Sequence, residues 1–122
     1  MLSASPFIVV PSVRDALDYY QPMFGGEIKI LNENEGTIFH AELHLGSSLL
    51  HFAHDYGRIP KGENVRVIMQ FDNEEEIKHV FELLAKEGSI FVPLEDTFFG
   101  ALHGEVIDAQ HGICWVLNHF RS

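Results

Sequence analysis

The stretch that most constrains this chain of 122 residues is Thr37 to Asp55, TIFHAELHLGSSLLHFAHD, because its side-chain period and its turn together leave one arrangement. Phe39, Ala41, Leu43 and Leu45 alternate with Ile38, His40, Glu42 and His44, the period of a strand that buries one face. Gly46-Ser47 separates this arm from a second that begins at Ser48, and glycine at the first central position suits a type II′ turn, whose twist matches that of paired strands. With Leu45 opposite Ser48, the register sets His44 against Leu49, Glu42 against His51 and His40 against Ala53, all six on one face. The other face, Phe39, Ala41, Leu43, Leu50 and Phe52, is continuous hydrocarbon and requires cover, most simply from helices.

His40, Glu42 and His51, with His44 toward the turn, form a candidate metal cluster on the polar face. Neutral imidazole and carboxylate suit zinc, nickel or another first-row divalent ion, and three protein ligands with one open position are a catalytic arrangement. The same alternation equally describes a polar strand face turned to water or to a partner subunit. His54 shares parity with Leu50 and Phe52 and stands apart from the cluster.

Around this hairpin the chain reads as strand, helix and three strands, written twice. In the first copy PFIVV (6–10) is a β-branched strand ended by Pro11, and Ser12 caps a helix with the apolar stripe Val13, Ala16, Leu17, Tyr20 and Phe24. Pro22 predicts a kink or an end near Tyr20, and Gly25-Gly26 a left-handed stop. EIKIL (27–31) alternates as a strand, and residues 32–36 form a polar turn into the hairpin. YGRIPKGEN (56–64) is the best linker in the chain.

The second copy opens with VRVIMQF (65–71). Asn73 with Glu76 makes a capping box, Ile77, Val80, Phe81 and Leu84 a helical stripe, and Lys86 and Gly88 an end. Strand-like runs at Ile90–Leu94, Gly104–Ile107 and Ile113–Leu117 follow. The expected fold is α+β: a single domain, 1–122, of two βαβββ modules (about 5–56 and 64–120). Each helix covers one face of a curved mixed sheet, mainly antiparallel, and the uncovered faces form a cleft.

Eight basic against eighteen acidic side chains leave a net charge of −10, which repels nucleic acid and anionic membrane surfaces and argues against both as partners. The N-terminal MLSASPFIVVPSV has no basic region and an apolar run too short for a signal peptide or a membrane span, so a soluble cytoplasmic protein is expected. The single cysteine, Cys114, lies in the apolar run ICWVL and reads as an inert core residue.

Three pieces, taken in order, carry a family likeness: VRDALDYYQPMFGGE at 13–27, the His40-Ala41 pair entering the hairpin, and FFGALHGEVIDAQHGICWVLN at 98–118. Together they resemble the vicinal oxygen chelate superfamily of glyoxalase I, bleomycin-resistance proteins and extradiol dioxygenases, and within it the PhnB-like branch. The tail departs from that branch at 108–112, DAQHG, which lacks the usual proline and is one residue longer. The resemblance implies a glyoxalase-like fold, a paired-module cleft for a small molecule, and a homodimer. Enzymes of the superfamily hold a divalent metal with one side chain from each of four strands, and the matching positions here are Ser5, His51, Arg66 and Val116. Only His51 is a metal ligand by chemistry: serine is a poor one, valine is none, and a guanidinium repels a cation.

Further candidates lie in the second module. Arg66 either anchors a carboxylate or phosphonate on a ligand or pairs with Glu42 or Glu105. His103, in the glycine-flanked GALHG, is either a general acid or base on a mobile lid or a surface loop residue. Phe98 and Phe99 are candidate aromatic walls for a pocket, whereas Trp115 shares parity with Ile113 and Leu117 and belongs in the core. Two functions remain: an enzyme acting on a small metabolite or xenobiotic as lyase, isomerase, transferase or dioxygenase, or a metal-free protein that sequesters a small, cationic compound.

Overall fold

The computed structural model describes residues 1–58, 62 and 65–121, and the chain divides into two compact units, 1–62 and 63–122. The first holds β1 (Phe7–Val10), α1 (Val13–Phe24), β2 (Glu27–Asn34), β3 (Thr37–Leu45) and β4 (Ser48–His54). Its sheet runs β1-β4-β3-β2, with β1 parallel to β4 and the other pairs antiparallel. The register is the one the turn dictates: Leu45 faces Ser48, Glu42 faces His51 and His40 faces Ala53, with Gly46 at φ +59°. Ser12 Oγ accepts the Asp15 N–H and starts α1, whose stripe Val13, Ala16, Leu17 and Tyr20 is buried. Tyr20 stacks on Phe52 at 5.3 Å, so helix and hairpin share one apolar layer with Leu43 and Val10.

The second unit repeats the plan with β5 (Val67–Gln70), α2 (Glu74–Glu87), β6 (Ser89–Asp96), β7 (Ala101–Ile107) and β8 (Cys114–Phe120). Its sheet runs β5-β8-β7-β6, again with the first pair parallel. Asn73 Oδ1 accepts the Glu76 N–H at 2.7 Å, and the stripe Ile77, Val80, Phe81 and Leu84 is buried. Trp115 is fully buried, and its indole N–H donates to Asp108. Two βαβββ modules, each with one helix on one face of a mixed four-stranded sheet, make the α+β fold that the element order predicts. Among the described residues no helix is long and apolar enough to cross a membrane.

The structure corrects four local expectations. Helix α1 runs through Pro22 to Phe24. Pro22 and Asp18 are both exposed, so the carbonyl deprived of its partner four residues back stays within reach of water. Strand β2 continues to Asn34 because the turn is only Glu35-Gly36, both at positive φ (52° and 81°) as a type I′ hairpin requires. Val65 lies outside β5 and is exposed. His103 sits in the middle of β7 rather than in a loop. Residues 59–61, 63 and 64 of the expected linker lie outside the described residues.

Candidate functional site

In each module the helix covers one sheet face and the strand alternation turns the other side chains away from it. On the first module this helix-free face carries Phe7 from β1, His51 from β4, and His40, Glu42 and His44 from β3. His40 Nε2 and His51 Nδ1 lie 2.9 Å apart, one imidazole donating to the other. His44 Nε2 lies 2.8 Å from Glu42 Oε1, and Glu42 Oε2 is 3.8 Å from His51. That hydrogen bond from His44 holds the Glu42 carboxyl below the usual carboxylate range, against a smaller burial effect and helped by the charges of His44, His51 and Lys29. The ring of Phe7, 59% exposed, stands over both imidazoles at 5.6 and 6.0 Å.

On the second module the same face carries Arg66, Ile68, His103, Glu105, Val116 and Asn118. Arg66 Nη1 donates to Glu105 Oε1 at 2.9 Å, and its guanidinium lies 5.1 Å from the centre of the Phe91 ring. Glu105 Oε2 meets His103 Nε2 at 3.2 Å, and Asn118 Oδ1 meets His103 Nδ1 at 2.5 Å. The sequence left Arg66 open between Glu42 and Glu105; its bond is to Glu105. Phe99 stands edge-on to His103 at 5.7 Å and beside Phe120, while Phe98 projects fully into solvent from the β6–β7 turn. Cys114 is half-buried on this face, with Sγ 3.8 Å from Glu105 Oε1, and burial pushes its thiol up. On the first module His54 lies against Phe39 and Tyr56, apart from the cluster of His40, Glu42 and His51.

The pairings expose a repeat that element order alone does not reveal. His40-Ala41-Glu42 on β3 and His103-Gly104-Glu105 on β7 occupy equivalent places: Glu42 faces His51 and Glu105 faces Val116, while His40 faces Ala53 and His103 faces Asn118. The parallel pairs agree, since Phe7 aligns with His51 and Ile68 with Val116. Phe7, Phe91, Asn118 and Phe120 were missed as site residues. The signal that could have found Asn118 is this His-x-Glu repeat, once its hairpin register is carried from the first module to the second.

The metal implied by the superfamily does not fit its four positions. Arg66 is held by a carboxylate as a fixed cation, Val116 offers no donor, and His51 Nδ1 already bonds His40. On the hairpin the side chains of His40, Glu42, His44 and His51 are turned toward one another, and among the described residues no group of three or more His, Cys, Asp or Glu side chains is arranged to hold a metal ion.

Comparison with known proteins locates this architecture. The family model of the Glyoxalase/Bleomycin resistance protein/Dioxygenase superfamily matches residues 4–116. Among solved structures, protein PA1353 from Pseudomonas aeruginosa is similar with a TM-score of 0.85 and 24% identity, covering 100% of each chain. A putative 3-demethylubiquinone-9 3-methyltransferase, PhnB protein, from Bacillus cereus follows with a TM-score of 0.76 and 25% identity over 96% of this chain and 98% of that one. TioX from Micromonospora sp. ML1 has a TM-score of 0.71 and 20% identity, covering 98% of this chain and 100% of its own. A search of curated proteins finds no match.

Proposed function

Because the chain belongs to the Glyoxalase/Bleomycin resistance protein/Dioxygenase superfamily, we propose that it binds a small organic molecule against the helix-free face of its sheets and sequesters or transforms it there without a metal on the four superfamily positions. One observation carries the proposal. Exposed apolar side chains, among them Ile68 (56% exposed) and Phe120 (53%), share a sheet face with the hydrogen-bonded centre of His103, Glu105 and Asn118. Apolar walls around a few placed polar groups are what a small-molecule site requires. The fold itself leaves the reaction open, since one fold hosts many chemistries.

Thermal melts against a panel of small carboxylates, amines and neutral aromatics, with and without EDTA, test this. Compounds that bind the native state raise the midpoint by mass action, and the proposal requires the same rise in EDTA. A rise that appears only with added zinc or nickel and vanishes in EDTA would contradict it. A second copy of the chain is the proposed protein partner, supported by the exposed Ile28, Ile30 and Leu31 on edge strand β2. A stable pair buries about 1,200 Å² or more in total. Light scattering should give twice the monomer mass, and the monomer mass at micromolar concentration would count against the dimer.

A further inference from the structure

We infer that the molecule read by the second module is a small anion with an apolar body, its carboxylate or phosphonate held by Arg66; this rests on the sheet-face reading above. Among the described Lys and Arg residues of this unit, Arg66 alone belongs to the site. Lys78 and Lys86 lie on α2, and Arg121 is held by Asp96 and Glu74. The guanidinium carries five donors in a planar fork and spends one of them, in a single bond, on Glu105. Its side chain is 45% exposed, and the guanidinium carbon lies over the Phe91 ring, 5.1 Å from its centre.

The carboxylate beside it is committed differently. Glu105 accepts from Arg66 with one oxygen and meets His103 with the other, and Asn118 closes the second nitrogen of that imidazole. A cationic ligand meets a carboxylate that is only 13% exposed and already paired on both oxygens, whereas an anionic one adds to the more exposed Arg66. Bidentate pairing of guanidinium with carboxylate or phosphonate is the strong form of that contact. Ile68, aligned with Val116 beside Glu105, and the exposed Phe91 ring offer the apolar body its wall. The net charge of −10 repels anions at long range, so affinity must come from this short-range fork.

The test titrates benzoate, phenylphosphonate, benzyl alcohol and benzylamine into the full chain, followed by calorimetry and by amide shifts. Benzoate and phenylphosphonate should bind more tightly than the alcohol or the amine. Arg66→Ala should weaken both anions roughly tenfold or more, the scale of one lost charge-assisted bond, and leave benzyl alcohol unchanged. Arg66→Lys should keep part of the affinity, because an ammonium supplies charge without the fork. Glu105→Gln should tighten benzoate several-fold by removing the offsetting charge. If Arg66→Ala fails to fold, the Glu105→Gln titration decides, since a merely structural ion pair predicts no gain there. Benzylamine binding most tightly, or unchanged benzoate affinity in the variants, overturns the anion assignment and leaves the sheet-face reading standing. Absence of any probe-induced shift on this face overturns both.

Discussion

The two modules carry the same His-x-Glu on their middle strand and use it differently, and the neighbours rather than the pair account for the difference. In the first module the residue opposite the histidine is Ala53, which offers nothing, so His40 bonds His51, and Glu42 takes His44. In the second the opposite residue is Asn118, only 6% exposed, and the place of Ser5 is taken by Arg66, so His103 and Glu105 are held from both ends. The helix side diverges too. Phe52 on β4 meets Tyr20 in the first module; its counterpart Leu117 leaves that space to Phe81 of α2, which packs on Gly104 where the first module has Ala41.

The largest effect that would sharpen this comparison is Phe52→Ala, which removes the stacked aromatic of the first module and should cost about 3–5 kcal/mol in denaturant unfolding. A loss below about 1 kcal/mol would mean that Tyr20 and Phe52 do not anchor α1. Next comes Gly104→Ala. A Cβ there would meet Phe81 Cε2 at 2.7 Å and the Leu94 Cα at 3.1 Å, so overpacking should cost about 1–3 kcal/mol. The opposite exchange, Ala41→Gly, should cost only about 0.5–1 kcal/mol, and equal losses would break the distinction between the helix contacts. Asn118→Ala should cost about 1 kcal/mol and move the His103 ring resonances, while those of His40 stay in place.

The smallest effect concerns acid. The folded-state value of Glu42 lies below its unfolded one, so its contribution is complete above the ordinary carboxylate range and is lost as pH falls through the folded value. The stability difference between the wild type and Glu42→Gln should therefore shrink between about pH 6 and about pH 3. A difference that stays constant or grows toward acid would show that His44 does not hold this carboxyl.

What could be read in advance follows from what each signal depends on. The hairpin register was legible because a two-residue turn and a period of two leave one solution, and both lie within the stretch itself. The helix stripes and the Ser12 and Asn73 caps were legible for the same local reason. His103 was expected in a loop because Gly100 and Gly104 flank it. Only Gly100, at φ +86°, serves a turn, whereas Gly104 is a packing glycine beneath Phe81, and sequence does not separate the two uses. Arg66 remained open between two carboxylates because pairing across strands far apart in sequence sets its reach. Asn118 went unnoticed because a buried asparagine on a strand has meaning only beside the histidine it faces.

The claim on which the rest depends is that the second module's helix-free face is the one that reads a ligand. Amide shift mapping during a benzoate titration, in EDTA, tests it most directly. Saturable shifts are expected at Ile68, Phe91 and His103, with Phe7, His40 and His51 unmoved. Shifts confined to the first module's face, or to the outer surface of either helix, would contradict it.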